Sequence, residues 1–308
     1  MPSRRHRDAK LSDFFSTRSP ALRNVLQTVE KVLDHDAPVL IRGESGTGKD
    51  HLASAIHVCS SRRGRPFVEI DCAAIPADLF ESEIFGHEKG TFTDAHARKL
   101  GKLELAGDGT VYFDEISALS PALQAKLLRA LQEKSFTRLG GNQAIALKAR
   151  VIASTNADLE ALLVSGAFRR DLFYRINVVT VTLPPLRDRA GDVPSLVKSF
   201  AGKTRFTKEA MSLLSAHPWP GNVRELRNAV DRALVVSEGE TVTADALPLE
   251  APELIAAASR GRWSLDKLEE TYIREILRAT RSNFSRAAQI LGINRKTLLE
   301  KRKKYGIE

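Results

Sequence analysis

A chain of 308 residues with 43% hydrophobic and 28% charged residues has the length for two or three domains and the composition of a globular protein. No apolar run approaches the roughly 20 residues that span a bilayer, and no apolar segment follows the basic stretch Met1 to Lys10, which argues against a transmembrane helix and a secretory signal. The net charge of +9 sits at the two ends: residues 1–10 hold four Lys/Arg against one Asp, residues 281–308 hold eight against two Glu, and the body between is neutral. A basic C-terminal end points to a polyanion partner, nucleic acid first, with a solvated helix face as the plain alternative. Cys59 and Cys72 are too few for a disulfide framework; they read as small apolar residues of a protein in a reducing cytoplasm.

Ser19-Pro20 reads as a helix cap followed by proline at the first helical position, and Leu22, Val25, Leu26, Val29 and Leu33 recur at helical spacing. Pro38 to Ile41 is a short apolar strand that runs into a Gly-rich loop, and a helix is expected from Asp50 to Cys59. Further strands are expected at Phe67 to Ile70, Thr110 to Phe113 and Val151 to Ala153, with a helix over Pro121 to Lys134. Strands alternating with helices imply a mostly parallel sheet covered on both faces. Pro184-Pro185 closes this part. Helices over Val193 to Phe200, Lys208 to His217 and Asn222 to Ser237 form a small second domain, and a Glu/Ala/Pro-rich stretch ending in Arg260-Gly261-Arg262 marks a linker. The expected division is a basic extension at 1–18, an α/β part at 19–185, a helical lid at 186–248, a linker at 249–262 and a helical module at 263–308.

Gly43-Glu44-Ser45-Gly46-Thr47-Gly48-Lys49 follows a strand and opens a helix, which is the context of a phosphate-binding loop. Glycines let backbone N–H groups turn onto phosphates, the helix N-terminus adds partial positive charge, and Lys49 reaches the outer phosphates. The general motif ends in Ser or Thr at the magnesium; Asp50 stands there, and a carboxylate also suits a hard cation. Val111 to Glu115 is an apolar strand ending in two acids: Asp114 is the expected magnesium ligand and Glu115 the group that orients and activates water. Phosphoryl transfer needs cations near the leaving phosphate, and Phe168 to Arg175 offers Arg169, Arg170 and Arg175; a salt-bridged helix face is the competing reading. Together these parts describe an ATPase using ATP and Mg2+.

At this point the residues resemble the bacterial enhancer-binding activators of sigma-54 RNA polymerase, which are AAA+ ATPases, from about Ser19 to the C-terminus. Gly43 to Asp50 is similar to that family's phosphate loop, which carries an acid after the lysine. Glu81 to Lys89 leads into Gly90-Thr91-Phe92-Thr93-Asp94-Ala95, which resembles the family's GAFTGA loop; Gly107 to Ile116 resembles its acidic strand motif, and Trp219 to Leu226 its second sensor. The resemblance implies an α/β AAA+ fold with a P-loop, a parallel sheet with helices on both faces, a helical lid and a C-terminal helix-turn-helix. It implies Thr155 and Asn156 as the first sensor, Arg224 as the second, and Arg169 and Arg175 as arginine fingers acting on a neighbouring subunit's ATP. Fingers acting in trans imply a ring, usually a hexamer, of this chain alone or shared with a paralogue. Phe92 and Thr93 match the loop tip that contacts sigma-54 RNA polymerase holoenzyme. Thr91 and Asp94 depart from the family's alanine and glycine. Asp71 replaces an asparagine that holds the water-activating glutamate; an ionised Asp71 beside Glu115 would repel it, share a proton with it, or tie elsewhere.

The C-terminal end resembles the Fis-like helix-turn-helix of these activators. Ser285 to Leu291 is one helix, Gly292-Ile293 the turn, and Arg295 to Tyr305 a second helix capped by Asn294. Asn294, Arg295, Lys296 and Thr297 are the expected base-edge contacts on enhancer double-stranded DNA, and Lys301, Lys303 and Lys304 the phosphate contacts. Arg302 stands where relatives usually have leucine. With about 18 residues before the ATPase, control by a regulatory protein in trans (an inhibitor or co-activator), or by expression level, is expected; the chain broadly resembles the short activators of type III secretion genes in plant-associated bacteria. A DNA-binding regulator of the ordinary polymerase, using ATP for assembly only, is the second reading; an AAA+ chaperone or protease motor with a basic tail is the third, and the tip loop and helix-turn-helix oppose it.

Overall fold

The structure, a computed structural model, describes residues 9–91, 97–237, 241–247, 263–280 and 283–307. The chain divides into two units, Met1–Leu247 and Pro248–Glu308. The loop tip at Phe92 and Thr93 and the linker expected at 249–262 lie outside the described residues.

In chain order the first unit carries α1 (Leu11–Phe14), α2 (Pro20–Glu30), β1 (Val39–Arg42), α3 (Lys49–Cys59), β2 (Phe67–Asp71), α4 (Ala77–Phe85), β3 (Gly86–His87), β4 (Lys99–Leu100), α5 (Lys102–Leu105), β5 (Thr110–Asp114), α6 (Pro121–Glu133), β6 (Ser135–Phe136), β7 (Ile145–Ala146), β8 (Arg150–Thr155), α7 (Leu159–Ser165), α8 (Arg170–Ile176), β9 (Val179–Thr182), α9 (Val193–Ala201), α10 (Lys208–Ala216) and α11 (Asn222–Val236). The expected strands and helices appear with ends shifted by at most two residues, except that α2 stops at Glu30 and leaves Leu33 in the turn after it. Ser19 caps α2 as expected, accepting from the Leu22 N–H, with Pro20 at the first helical position.

The main sheet has the order β2-β5-β8-β1-β9, and all its pairings are parallel. Its strands read as continuous apolar runs because both faces are covered. Leu40, Val111, Phe113, Val151 and Ala153 point into one core with α4, α6 and α8. Val39, Ile41, Tyr112 and Ile152 alternate into the other, against α2 and α3. β1 lies between β8 and β9, so the loop after it opens into the crevice where an open α/β sheet binds its ligand.

Three features differ from the sequence-based expectation. β9 is a fifth strand beyond the four expected, although the β-branched run Val178 to Thr182 signals it. β3–β4 and β6–β7 are two-residue antiparallel pairs, too short to leave a periodic signal. Residues 11–18, set apart as part of an extension, belong to the first unit: Leu11 is buried beside α2 and α3, and Thr17 Oγ1 and Arg18 N donate to the buried Asp192 carboxylate at 2.6 and 2.7 Å.

The second unit holds α12 (Leu265–Ala279), α13 (Phe284–Ile290) and α14 (Arg295–Lys304) around Ile273, Leu277, Ala287, Ala288 and Leu298. The long helix α12 was anticipated only as part of a helical module; it buries Ile273 and Leu277 against α13 and α14.

Candidate nucleotide site and nucleic-acid interface

The phosphate loop is built by backbone conformation. Gly46 and Gly48 have φ of +75° and +98°, in the left-handed region that favours glycine, and Gly48 caps α3. A side chain at Gly46 would stand 2.3 Å from the Gly221 carbonyl oxygen, so the loop passes the lid at backbone contact. Lys49 is 6% exposed; its Nζ donates to Gly43 O at 3.1 Å and Glu44 O at 3.4 Å and pairs with Glu115 Oε1 at 3.1 Å. Asp50 is exposed in the first turn of α3 and lines a cavity of about 650 Å3 with Gly46, Thr47, Gly48, Arg189 and Arg224. That volume is in the range of nucleotide-sized pockets.

The acidic strand end is oriented by neighbours that the sequence reading missed. Asp114 Oδ1 accepts from the hydroxyls of Tyr112, at 2.7 Å, and Ser154. Burial pushes the Tyr112 phenol up, which keeps it a donor. Asp114 is thereby fixed with its second oxygen available to a hard cation. Glu115 has φ +51°, a strained conformation for a side-chain-bearing residue, and its N–H donates to Ser154 Oγ at 3.3 Å. Its carboxylate is held by Lys49 on one oxygen and by the Asn156 N–H, at 2.9 Å, on the other. A buried lysine, glycines at positive φ beside a helix N-terminus, and a carboxylate with a free oxygen fit a triphosphate with its magnesium.

Asp71 ties elsewhere. It stands across from Asp114 in register, and its Oδ1 accepts from the N–H groups of Ala73 and Ala74 at 2.9 and 3.0 Å. It thus closes its own turn, and Glu115 is held by Lys49 and Asn156. Thr155 is buried, donating to Ser117 Oγ at 2.9 Å and accepting from Ala157 N, so its hydroxyl faces the chain.

The lid closes over the loop. Arg187 makes a two-pronged pair with the Glu44 carboxylate, at 2.5 and 2.8 Å, which holds Glu44 below the usual carboxylate range. Arg224 Nη1 donates to Ser45 Oγ at 2.9 Å. Arg187, Arg189 and the buried Asn222 went unread in the sequence. The first two follow the proline pair read as a domain end, and the third stood inside a motif read for Arg224 alone.

Arg169 and Arg175 lie outside this cavity. Phe168, Leu172, Phe173 and Ile176 bury the inner face of the finger segment and α8, which leaves both arginines on the outer face. Arg169 forms a two-pronged pair with Asp171 at 3.0 and 2.7 Å; Arg175 Nε and Nη2 donate to Leu131 O at 3.2 and 2.7 Å. At the base of the tip loop, Arg138 is 5% exposed and pairs with Glu88 and Glu104 at 2.7 and 2.6 Å. Thr91, the departure from alanine, donates to Glu88 O at 2.6 Å and Leu139 O at 3.1 Å, so its hydroxyl pins that base.

In the second unit Asn294 caps α14, accepting from the Thr297 N–H at 2.8 Å. Arg295, Lys296 and Lys303 are exposed, with no ion pair among the described residues. Lys301 and Lys304 are tied within the unit, to Glu269 at 2.5 Å and Asp266 at 2.8 Å. Arg302 lies with its guanidinium over the Phe284 ring at 5.2 Å and donates from Nε to Ile307 O, so the head group itself packs within the unit where relatives usually have leucine.

Residues 15–182 match the family described as Sigma-54 interaction domain, residues 187–261 the AAA+ ATPase lid domain, and residues 264–305 the Bacterial regulatory protein, Fis family. The chain is 42% identical over 313 residues to Regulatory protein AtoC of Escherichia coli (strain K12), covering 95% of this chain and 68% of AtoC. It is 46% identical over 296 residues to Transcriptional regulatory protein ZraR of Klebsiella oxytoca, covering 92% and 67%. The crystal structure of NtrX from Brucella abortus in complex with ATP matches with a TM-score of 0.70 at 36% identity, covering 95% of this chain and 69% of NtrX. The chain belongs to the sigma-54-dependent transcriptional activators, DNA-binding AAA+ ATPases that use ATP with Mg2+.

Proposed function

We propose that the chain works as a ring, a hexamer of itself or with a paralogue, in which each ATP site is completed by the next subunit. The observation that carries this is the placement of Arg169 and Arg175, which are exposed and tied to Asp171 and Leu131 O rather than to their own chain's phosphate loop. A head-to-tail interface that closes on itself brings such residues to a neighbour's site. Bound Mg·ATP supplies the phosphoryl group whose transfer to water drives remodelling. Lys49 and the loop N–H groups bind its phosphates, and Asp114 and Asp50 hold the cation. Glu115 orients the water and accepts its proton, while Asn156 and Arg224 sense occupancy. Arg169 and Arg175 leave Asp171 and Leu131 O to reach the neighbour's phosphate.

Phe92 and Thr93 form the tip that meets sigma-54 polymerase, on a base held by Thr91 and Arg138. Arg295, Lys296, Thr297 and Lys303, with the free amide nitrogen of Asn294, read enhancer DNA, and Lys301 and Lys304 contribute by exchanging their internal partners for phosphates. Among the described residues no helix is long and apolar enough to cross a membrane. We place the protein in the cytoplasm, on DNA, under a regulatory protein in trans. Match to the sigma-54 interaction domain disfavours action on the ordinary polymerase.

The substitution Phe92→Ala tests the tip. ATP hydrolysis is expected to stay within about twofold of the parent while open-complex formation falls by about tenfold or more, since a buried aromatic anchor carries 2 kcal/mol or more of an interface. Unchanged activation would remove the docking role.

A further inference from the structure

The carbonyl groups of the phosphate loop are held from the lid, one after another. Ser45 O accepts from Asn222 Nδ2 at 3.0 Å. Gly46 O accepts from the N–H groups of Val223 and Arg224 at 2.9 and 3.3 Å. Thr47 O accepts from Arg189 Nη2 at 2.8 Å. In a trans peptide the C=O and the following N–H point to opposite edges of one plane. Holding those three oxygens on the lid side therefore turns the N–H groups of Gly46, Thr47 and Gly48 away from the lid. Within the loop the Thr47 N–H makes one loose contact, with Glu44 O at 3.3 Å. These are the groups that a Gly-rich loop uses to cradle phosphate oxygens.

We infer that Asn222 and Arg189 are positioning residues for phosphate binding: from the lid, they set the peptide planes of the loop so that its N–H groups face the nucleotide. Asn222 has the geometry for this. It is fully buried, has φ +55°, and does not line the cavity. Its Oδ1 accepts from the Leu186 N–H at 2.7 Å, and its Nδ2 reaches both Ser45 O and the Glu44 carboxylate, the latter at 3.2 Å. Glu44 is locked to the lid a second time by Arg187. Arg189 is 6% exposed and stands near the buried Asp192 carboxylate; its Nε has no partner among the described residues, and its Nη2 donates to Thr47 O. The phosphate cradle is then only as ordered as the lid's contact with it, and a lid displaced from the loop releases the phosphates without touching them.

The test is a titration of the full chain with Mg·ATP, Mg·ADP and AMP. Asn222→Gly removes the amide and tolerates the left-handed backbone, and circular dichroism verifies that it folds. The expected result is a Kd for ATP and ADP raised about tenfold or more, with AMP, which lacks the outer phosphates, within about twofold. A merely structural role would weaken all three together. Arg189→Met keeps the volume and removes the donor to Thr47 O; because it also takes a cation from near the buried Asp192, its folding is checked by circular dichroism. It repeats the ATP and ADP loss, and Arg189→Lys, which restores a donor, recovers part of it. ATP affinity within twofold of the parent in folded Asn222→Gly, or in Arg189→Met should the first not fold, would overturn the inference, as would equal losses for all three nucleotides. Absence of ATP binding by the unaltered chain would instead overturn the ATP-site reading on which the inference rests.

Discussion

Glu115→Gln is expected to lower ATP turnover by about a hundredfold to ten-thousandfold, the range for loss of a general base, while ATP binding persists. The amide keeps the size of the side chain and its contact to the Asn156 N–H but takes no proton from water. The empty site adds a second expectation. Lys49 pairs with Glu115 at 3.1 Å and must turn to the phosphates when ATP enters. Removing the carboxylate charge frees that ammonium, so ATP should bind Glu115→Gln as tightly as the parent or more tightly. Single-turnover hydrolysis and equilibrium titration separate the two effects. Turnover near the parental rate would move the base elsewhere, with Asp71 the nearest alternative by register.

Arg175→Ala is expected to cut hydrolysis by about a thousandfold or more, the scale of a lost arginine finger, with little change in ATP affinity. The arginine is exposed and tied to Leu131 O rather than to its own phosphate loop, so on the ring reading the defect should be repaired in trans. Lys49→Ala subunits cannot bind phosphate but keep their fingers; Arg175→Ala subunits have the reverse defect. In a random one-to-one ring, up to about a quarter of the sites join an intact loop to an intact finger. Mixing the two inactive proteins should restore hydrolysis toward that fraction. Failure to recover any activity from mixed, assembled subunits would count against fingers in trans.

The five-strand sheet was legible for four strands because Leu40, Val111 and Ile152 sit in apolar runs that parallel strands buried on both faces must have. β9 was hidden by its place between an arginine-rich helix and a proline pair. The phosphate loop was legible because its chemistry is local: glycines, a helix start and a lysine stand within seven residues. What orients the site was not. Ser154 meets Asp114 from the neighbouring strand, Tyr112 from two residues back on its own, and Arg189 and Asn222 meet the loop from more than 140 positions away. Such partners look like ordinary core or surface residues until the chain folds. Asp71 is the reverse case: its partners are the backbone N–H groups of Ala73 and Ala74, two and three residues on, the local turn contact that an aspartate favours.

The lysines of α14 carry the same lesson. Charge patterning put Lys301, Lys303 and Lys304 on one DNA-facing set, yet Glu269 and Asp266 of α12 take two of them. Exposed pairs of this kind are screened by solvent, so a phosphate can displace them at small cost.

The central claim is that ATP hydrolysis by this chain remodels sigma-54 polymerase at a promoter. Purified chain, sigma-54 holoenzyme and a supercoiled template bearing an enhancer should yield open complex with Mg·ATP, detected by permanganate reactivity of the melted bases, and none with a non-hydrolysable analogue. Intact ATP hydrolysis and DNA binding without open complex would contradict the claim.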